Sequence, residues 1–183
     1  NTAHELGHKK SKVQRSLATS VLAMGAYGHF AVEHNRGHHR YVATPEDCAS
    51  SRLGETLYAF ALRELPGGFL RAWRLERDRL ERHDTSVWSL ENEILRAGVI
   101  TLVVSVGLVI AFGQIMVPYL LLTYFVGAFH LTLANYIEHY GLLRRKLPNG
   151  RYERCQPQHS WNSNHICSNW ALFHLQRHSD HHA

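Results

Sequence analysis

Charge disappears from this chain for 41 consecutive positions, because Ala97 to Ile137 includes no Asp, Glu, Lys or Arg. As helix, such a run reaches roughly 60 Å, about twice the thickness of a bilayer core. Gly113, Gln114 and Pro118 interrupt it near the middle. The pattern predicts two membrane-spanning helices, about 95–116 and 119–142, with 97–137 as the apolar hairpin. Arg96 flanks the first, and Arg144, Arg145 and Lys146 follow the second, so both outer ends belong on the cytoplasmic side. The alternative is a buried hairpin in a soluble protein. Ser16 to Val32 is a second uncharged run of only 17 residues, borderline for a span. Crossing there would separate His8 from His34, whereas a re-entrant or interfacial helix pair over 16–32 keeps them on one side. Residues 52–93 are polar and Arg-rich, and 71–82 carries good helix formers with opposite charges three and four apart, an exposed helix. Pro148-Asn149-Gly150 is a turn. Ser168 or Asn169 then caps a last helix over 168–183.

The elements are all helical, and the 183 residues suit one domain, 1–183. Hydrophobic residues at 45% and charged ones at 19% exclude wholesale disorder. The net charge of +5 is too mild to suggest nucleic acid. Three cysteines (Cys48, Cys155 and Cys167) form neither a disulfide framework nor any C-x-x-C. No G-x-G-x-x-G or P-loop occurs. Histidine motifs stand at both ends of the chain, the pattern of an internal fragment of a longer protein.

Fifteen histidines are the outlying count. His4 and His8 are four apart, on one helix face. His34, His38 and His39 form H-x3-H-H, the first two sharing a face. His139 stands at the cytoplasmic end of the second span. His178, His181 and His182 form H-x2-H-H, and His174 extends the same stripe. Imidazole is a common metal ligand, and helical spacing of three or four aims two rings at one ion. Nine clustered histidines exceed what one metal can use, which favours a dinuclear site. Each cluster has an adjacent carboxylate: Glu5, Glu33, Glu138 and Asp180. Adjacent residues do not face each other on a helix, so these acids are expected to orient rings from other helices, with His174 beside them. His29, His83, His130, His159 and His165 are read as ordinary polar residues. His4-Glu5-Leu6-Gly7-His8 also matches the zinc-protease helix, and Cys155, His159, His165 and Cys167 could hold zinc at an unusual spacing.

With these motifs the sequence resembles the integral-membrane alkane hydroxylases, among the histidine-box membrane di-iron enzymes. The resemblance rests on His4-Glu-Leu-Gly-His8-Lys9, Glu33-His-Asn-Arg-Gly-His-His39, Asn135-Tyr-Ile-Glu-His-Tyr-Gly-Leu142 and Leu175-Gln-Arg-His-Ser-Asp-His-His182. It implies a fragment of a six-helix transmembrane fold, in a bacterial inner membrane, with its metal site facing the cytoplasm. It implies two iron ions as cofactors, held by the nine clustered histidines. It implies hydroxylation of a terminal n-alkane carbon with O2, using electrons from rubredoxin and, upstream, rubredoxin reductase. The spacing argument adds that all nine histidines converge. The 71–82 segment, or Arg144-Arg145-Lys146, is the expected docking surface, through Arg74, Arg77 and Arg144. A fatty-acyl desaturase or hydroxylase, a xylene-type monooxygenase, a membrane metalloprotease and a non-catalytic metal-binding protein are the alternatives.

Overall fold

The computed structural model describes residues 2–9, 11–171 and 175–182. The helices are α1 (Thr2–Gly7), α2 (Lys12–Met24), α3 (Phe30–Glu33), a π-helical turn (His34–His38), α4 (His39–Tyr41), α5 (Leu57–Glu81), α6 (Glu93–Phe112), α7 (Met116–Glu138), α8 (Ile166–Ala171) and α9 (His178–His182). No strand forms among the described residues, which hold two isolated β-bridges, Lys146 with Tyr152 and Asn162 with Arg177. The chain divides into two compact units that interleave along the sequence. One joins Thr2–Gly37 to Gly68–His130, and the other joins His38–Gly67 to the chain from Leu131 onward.

In the first unit, α2 is 13 residues long. That is about 20 Å of helix, short of the ~30 Å of a hydrocarbon core. The chain reverses at Gly25 and Ala26, where φ is 54° at Ala26. A Cβ at Gly28 would collide with Ala97, so this turn needs glycine for α6 to pass. Thr101 Oγ1 donates to the Ala23 carbonyl at 2.6 Å, fastening α6 to the end of α2. Asn92 caps α6 by accepting from the Ile94 and Leu95 amides. Val32, Ala72 and Ile94 form a small core, with Trp73 and Leu75 packed on it.

Two buried carboxylates tie this unit together. Glu76 has no exposed surface. It receives Arg36 at 2.6 Å, Arg79 at 2.7 and 2.9 Å, and the Glu93 amide at 2.7 Å. Glu33 receives Arg71 at 2.8 Å. Arg71 and Arg79 are thus committed to carboxylates inside the unit, and the 71–82 segment is the distal part of a 25-residue helix. Only part of it is the exposed helix that its charge pattern predicts.

In the second unit, Arg63 holds the Cys48 and Ser50 carbonyls at 3.1 Å each and pairs with Glu55. Glu64, also buried, accepts from Thr132 Oγ1 at 2.7 Å and Asn135 Nδ2 at 3.3 Å. Burial pushes the Glu64 carboxyl above the usual carboxylate range. Arg144 donates to the Arg40 and Glu153 carbonyls, so it braces the loop after α7 rather than standing free for docking.

α6 and α7 are both long and apolar enough to cross a membrane. Their flanks expose Leu102, Val103, Ile110, Leu121, Leu122 and Phe125. Apolar rows of that extent belong in lipid rather than water. Between the helices, Ser105 Oγ and Tyr124 OH meet at 2.7 Å, satisfying two hydroxyls within the apolar segment. The break lies at Gly113, whose φ of 82° admits no ordinary side chain without strain. Pro118 does not belong to the break. It sits in the first turn of α7, where its missing N–H has no helical partner to lose.

Two crossings make a labelling prediction. In a background with Cys48, Cys155 and Cys167 replaced, Ser86→Cys and Asn149→Cys should react with an impermeant maleimide from one face of the membrane. Gln114→Cys should react only from the other. Labelling of all three from one face would remove the spans.

Candidate metal centre

His4 lies in the short helix α1, and His8 lies one residue beyond its end, its amide bonded to the Glu5 carbonyl at 3.3 Å. Their ring centroids are 5.0 Å apart. His34 opens the π-helical turn, and its ring stacks on Phe30 at 4.8 Å. His4 Nε2 and His34 Nε2 are 2.5 Å apart, and the donor atoms of His4, His8 and His34 all lie within 4.8 Å of one another. These three form the histidine set of the first unit.

Residues four apart stay near one face of a π turn as they do of an α-helix. The donor atoms of His34 nevertheless gather with those of His4 and His8, while those of His38 gather with His139, His178 and His182 in the second unit.

The second set is the more deeply buried. His38 and His139 are 0% exposed and His178 is 2%. Ligand atoms of His38, His139, His178 and His182 lie within 4.8 Å of one another. His139 Nδ1 is 3.1 Å from the His159 carbonyl, which can only accept, so Nδ1 carries the proton. Burial, aided by the nearby His38, lowers the His139 pKa to about 3 and keeps the ring neutral. Its Nε2 is therefore a lone-pair nitrogen, and it faces His178 Nε2 at 3.1 Å. His178 Nε2 in turn faces His182 Nε2 at 2.8 Å. Burial, with His38, His178 and His139 close by, also lowers the pKa of His182. His38 is oriented the same way, through Nδ1 on Asp47 Oδ2 at 2.9 Å. Asp47 is itself held by Ser50 Oγ at 2.6 Å and the Ala49 amide at 3.2 Å. His39 and His181, also in this unit, have their Nε2 atoms 3.0 Å apart.

Imidazole lone pairs converging in a dry site repel unless a cation sits among them. Two nitrogens bound to one ion at about 2.0–2.1 Å stand about 3 Å apart, the separation found here. The donor set fits a transition-metal ion, and the outward Nδ1 bonds to a carbonyl and a carboxylate are the usual supports of such ligands.

Local structure explains how these side chains arrive. His139 follows directly on α7, whose last turns are pinned by Glu64 through Thr132 and Asn135. His178 opens α9, whose first turn is fixed by Asn162: its Oδ1 accepts from the Ser179 amide at 2.9 Å and its Nδ2 donates to Ser179 Oγ at 2.6 Å. The single last helix expected over 168–183 is instead α8 and α9, because the Ser163 amide bonds the Gln176 carbonyl at 2.9 Å and holds the chain out of helix there. His174 lies outside the described residues.

The adjacent acids divide. Glu138 Oε2 is 3.4 Å from His178 Nε2, on a different helix. Glu5 lies 3.5 Å from Nδ1 of its own neighbour His4. Glu33 is engaged by Arg71, and Asp180 is exposed beside Ser179. Asp47 carries no periodic signal in the sequence, and His159, expected as an ordinary polar residue, sets the tautomer of His139 through its carbonyl. Among the described residues, Cys155, His159, His165 and Cys167 form no metal-sized group.

A neutral buried His139 makes the unfolded chain the stronger proton binder. Its pKa falls from 6.5 to about 3 on folding, so its contribution is fully present above 6.5 and is lost progressively as pH falls towards 3. In metal-free protein, the midpoint of thermal unfolding should drop across that window. His139→Gln should flatten the drop. An unchanged pH profile would contradict the burial argument.

The fatty acid desaturase family model matches residues 1–183. The chain is 60% identical, over its whole length, to alkane 1-monooxygenase 1 of Alcanivorax borkumensis, covering 45% of that protein. It is 58% identical over its whole length to the alkane 1-monooxygenase of Ectopseudomonas oleovorans, covering 46%. Over 145 residues it is 30% identical to the xylene/toluene monooxygenase hydroxylase component of Pseudomonas putida, a match covering 78% of this chain and 38% of that protein. The chain thus spans about half the length of the alkane monooxygenases it matches. Full-length agreement with the family model, on a helical chain whose histidines gather as described, shows that it belongs to the fatty acid desaturase family.

Proposed function

We propose that this chain is the metal-binding part of an alkane 1-monooxygenase, which hydroxylates the terminal carbon of n-alkanes with O2 and electrons from rubredoxin. The observation that carries the reading is the convergence of imidazole nitrogens from His38, His139, His178 and His182, the first three of them buried. Identity of 58–60% to proteins named for that reaction supports it.

The nine histidines hold two iron ions in this reading. His4, His8 and His34 serve one, and His38, His139, His178 and His182 serve the other. His39 and His181 complete the donor count. Iron bound there would supply the redox chemistry of O2 that no amino-acid side chain provides. The chain's own residues do the rest. His159 and Asp47 fix ring orientation, Glu64 holds the end of α7, and burial keeps His139 and His182 neutral. In this reading the site belongs to a bacterial inner membrane, where the alkane is dissolved, with the histidines on the cytoplasmic side, and the two apolar helices support a membrane setting. Electrons come from rubredoxin, reduced by rubredoxin reductase. Similarity to the xylene/toluene enzyme keeps oxidation of an aryl methyl group as a second reading.

Full-length protein supplied with iron, rubredoxin, reductase and a series of n-alkanes should yield 1-alkanols. Iron-loaded protein that oxidised xylene and no alkane would favour the second reading. Asp47→Asn should lower metal affinity or turnover about 10–100-fold, the usual cost of losing a support behind a histidine ligand. His139→Ala should abolish turnover and lower the iron content.

A further inference from the structure

An open cavity of about 360 Å³ lies within the first unit, walled in part by His8, Lys9, Arg15, Asn35, Arg36 and Glu93. Three cationic side chains face one carboxylate, and Glu93 is itself held by Arg36 at 2.5 Å. Lys9 and Arg15 are exposed, as is Lys12 nearby. No carboxylate among the described residues pairs with Lys9, Lys12 or Arg15. No acid occurs in the sequence between Glu5 and Glu33. Among the α5 cations, Arg71 and Arg79 answer buried carboxylates and Arg77 pairs with Asp78 and Glu81, while Arg74 is exposed.

The face matters as much as the charge. α2 exposes Val13, Leu17, Val21 and Met24, an apolar stripe at helical spacing. Arg15 and Thr19, which line the cavity, lie two residues from Val13, Leu17 and Val21, about 200° away around the helix. The cavity therefore opens away from the side of α2 suited to lipid tails, which favours a protein ligand over a phospholipid headgroup. One wall is His8, a histidine of the first set.

From this placement we infer that the Lys9–Arg15 cavity is the docking surface for a small acidic electron-carrier protein, whose carboxylates occupy it and bring its redox centre beside His8. The inference rests on the monooxygenase reading for the need of such a carrier. Complementary charge there raises the encounter rate and orients the carrier.

The test uses the full-length, iron-loaded protein in nanodiscs and reduced rubredoxin as the probe. The Lys9→Glu/Arg15→Glu double variant should weaken rubredoxin binding at least about tenfold at low ionic strength and flatten its salt dependence. The neutral Lys9→Gln/Arg15→Gln variant should weaken it less, and it serves if the reversed variant does not fold. Iron content should stay at the wild-type level in both. Wild-type affinity in a folded variant would overturn the inference. So would unchanged rubredoxin binding accompanied by loss of binding to anionic phospholipid, which would assign the cavity to a headgroup. If wild-type protein binds rubredoxin but yields no alkanol, the substrate reading fails, while the binding comparison still decides the docking surface.

Discussion

Buried imidazole nitrogens are the constraint on which the second unit is organised. Taking polar rings out of water is costly unless each nitrogen finds a partner. His38, His139 and His178 are almost wholly removed from solvent, with Nε2 atoms of His139, His178 and His182 separated by 2.8–3.1 Å. A proton shared between neighbours would answer one pair at most, and burial holds His139 and His182 neutral. A divalent ion answers all of them together. The outward bonds of His139 and His38 then acquire a purpose, because each fixes which nitrogen is left to bind.

Much of the remaining polar architecture holds those rings still. Glu64 pins the end of α7, Asn162 starts α9, and Arg63 and Ser50 hold the loop that presents Asp47. In the first unit, Glu76 and Glu33 recruit arginines from α5 and the π turn around the residues that carry His34. Buried pairs of this kind contribute little net stability, yet removing one partner leaves a costly unpaired charge. Their consequence here is fixed geometry. The lipid-facing helices solve the opposite problem, since α6 and α7 satisfy their backbones internally and leave apolar flanks for the membrane.

The sequence made the spans legible, because 41 uncharged residues have few other physical solutions. It also made the histidine clusters legible, since spacings of three and four record helical stacking directly. Their partition was hidden. Spacing places His34 and His38 near one face without saying which neighbouring rings each joins, and nothing in His34-Asn-Arg-Gly-His38 announces the π turn. Asp47 was hidden because it lies in a turn, where no periodicity links an acid to a ring. His159 was hidden because it acts through its carbonyl, which every residue possesses. The break between α8 and α9 comes from bonds of Asn162 and Ser163 across the loop, information that lies outside any helical pattern.

The most direct measurement is an anomalous-difference map at the iron edge, from crystals of the full-length metal-loaded protein. One peak should stand among Nε2 atoms of His38, His139, His178 and His182, and a second beside His4, His8 and His34. No anomalous peak within bonding distance of either set, in protein shown to retain iron, would contradict the account.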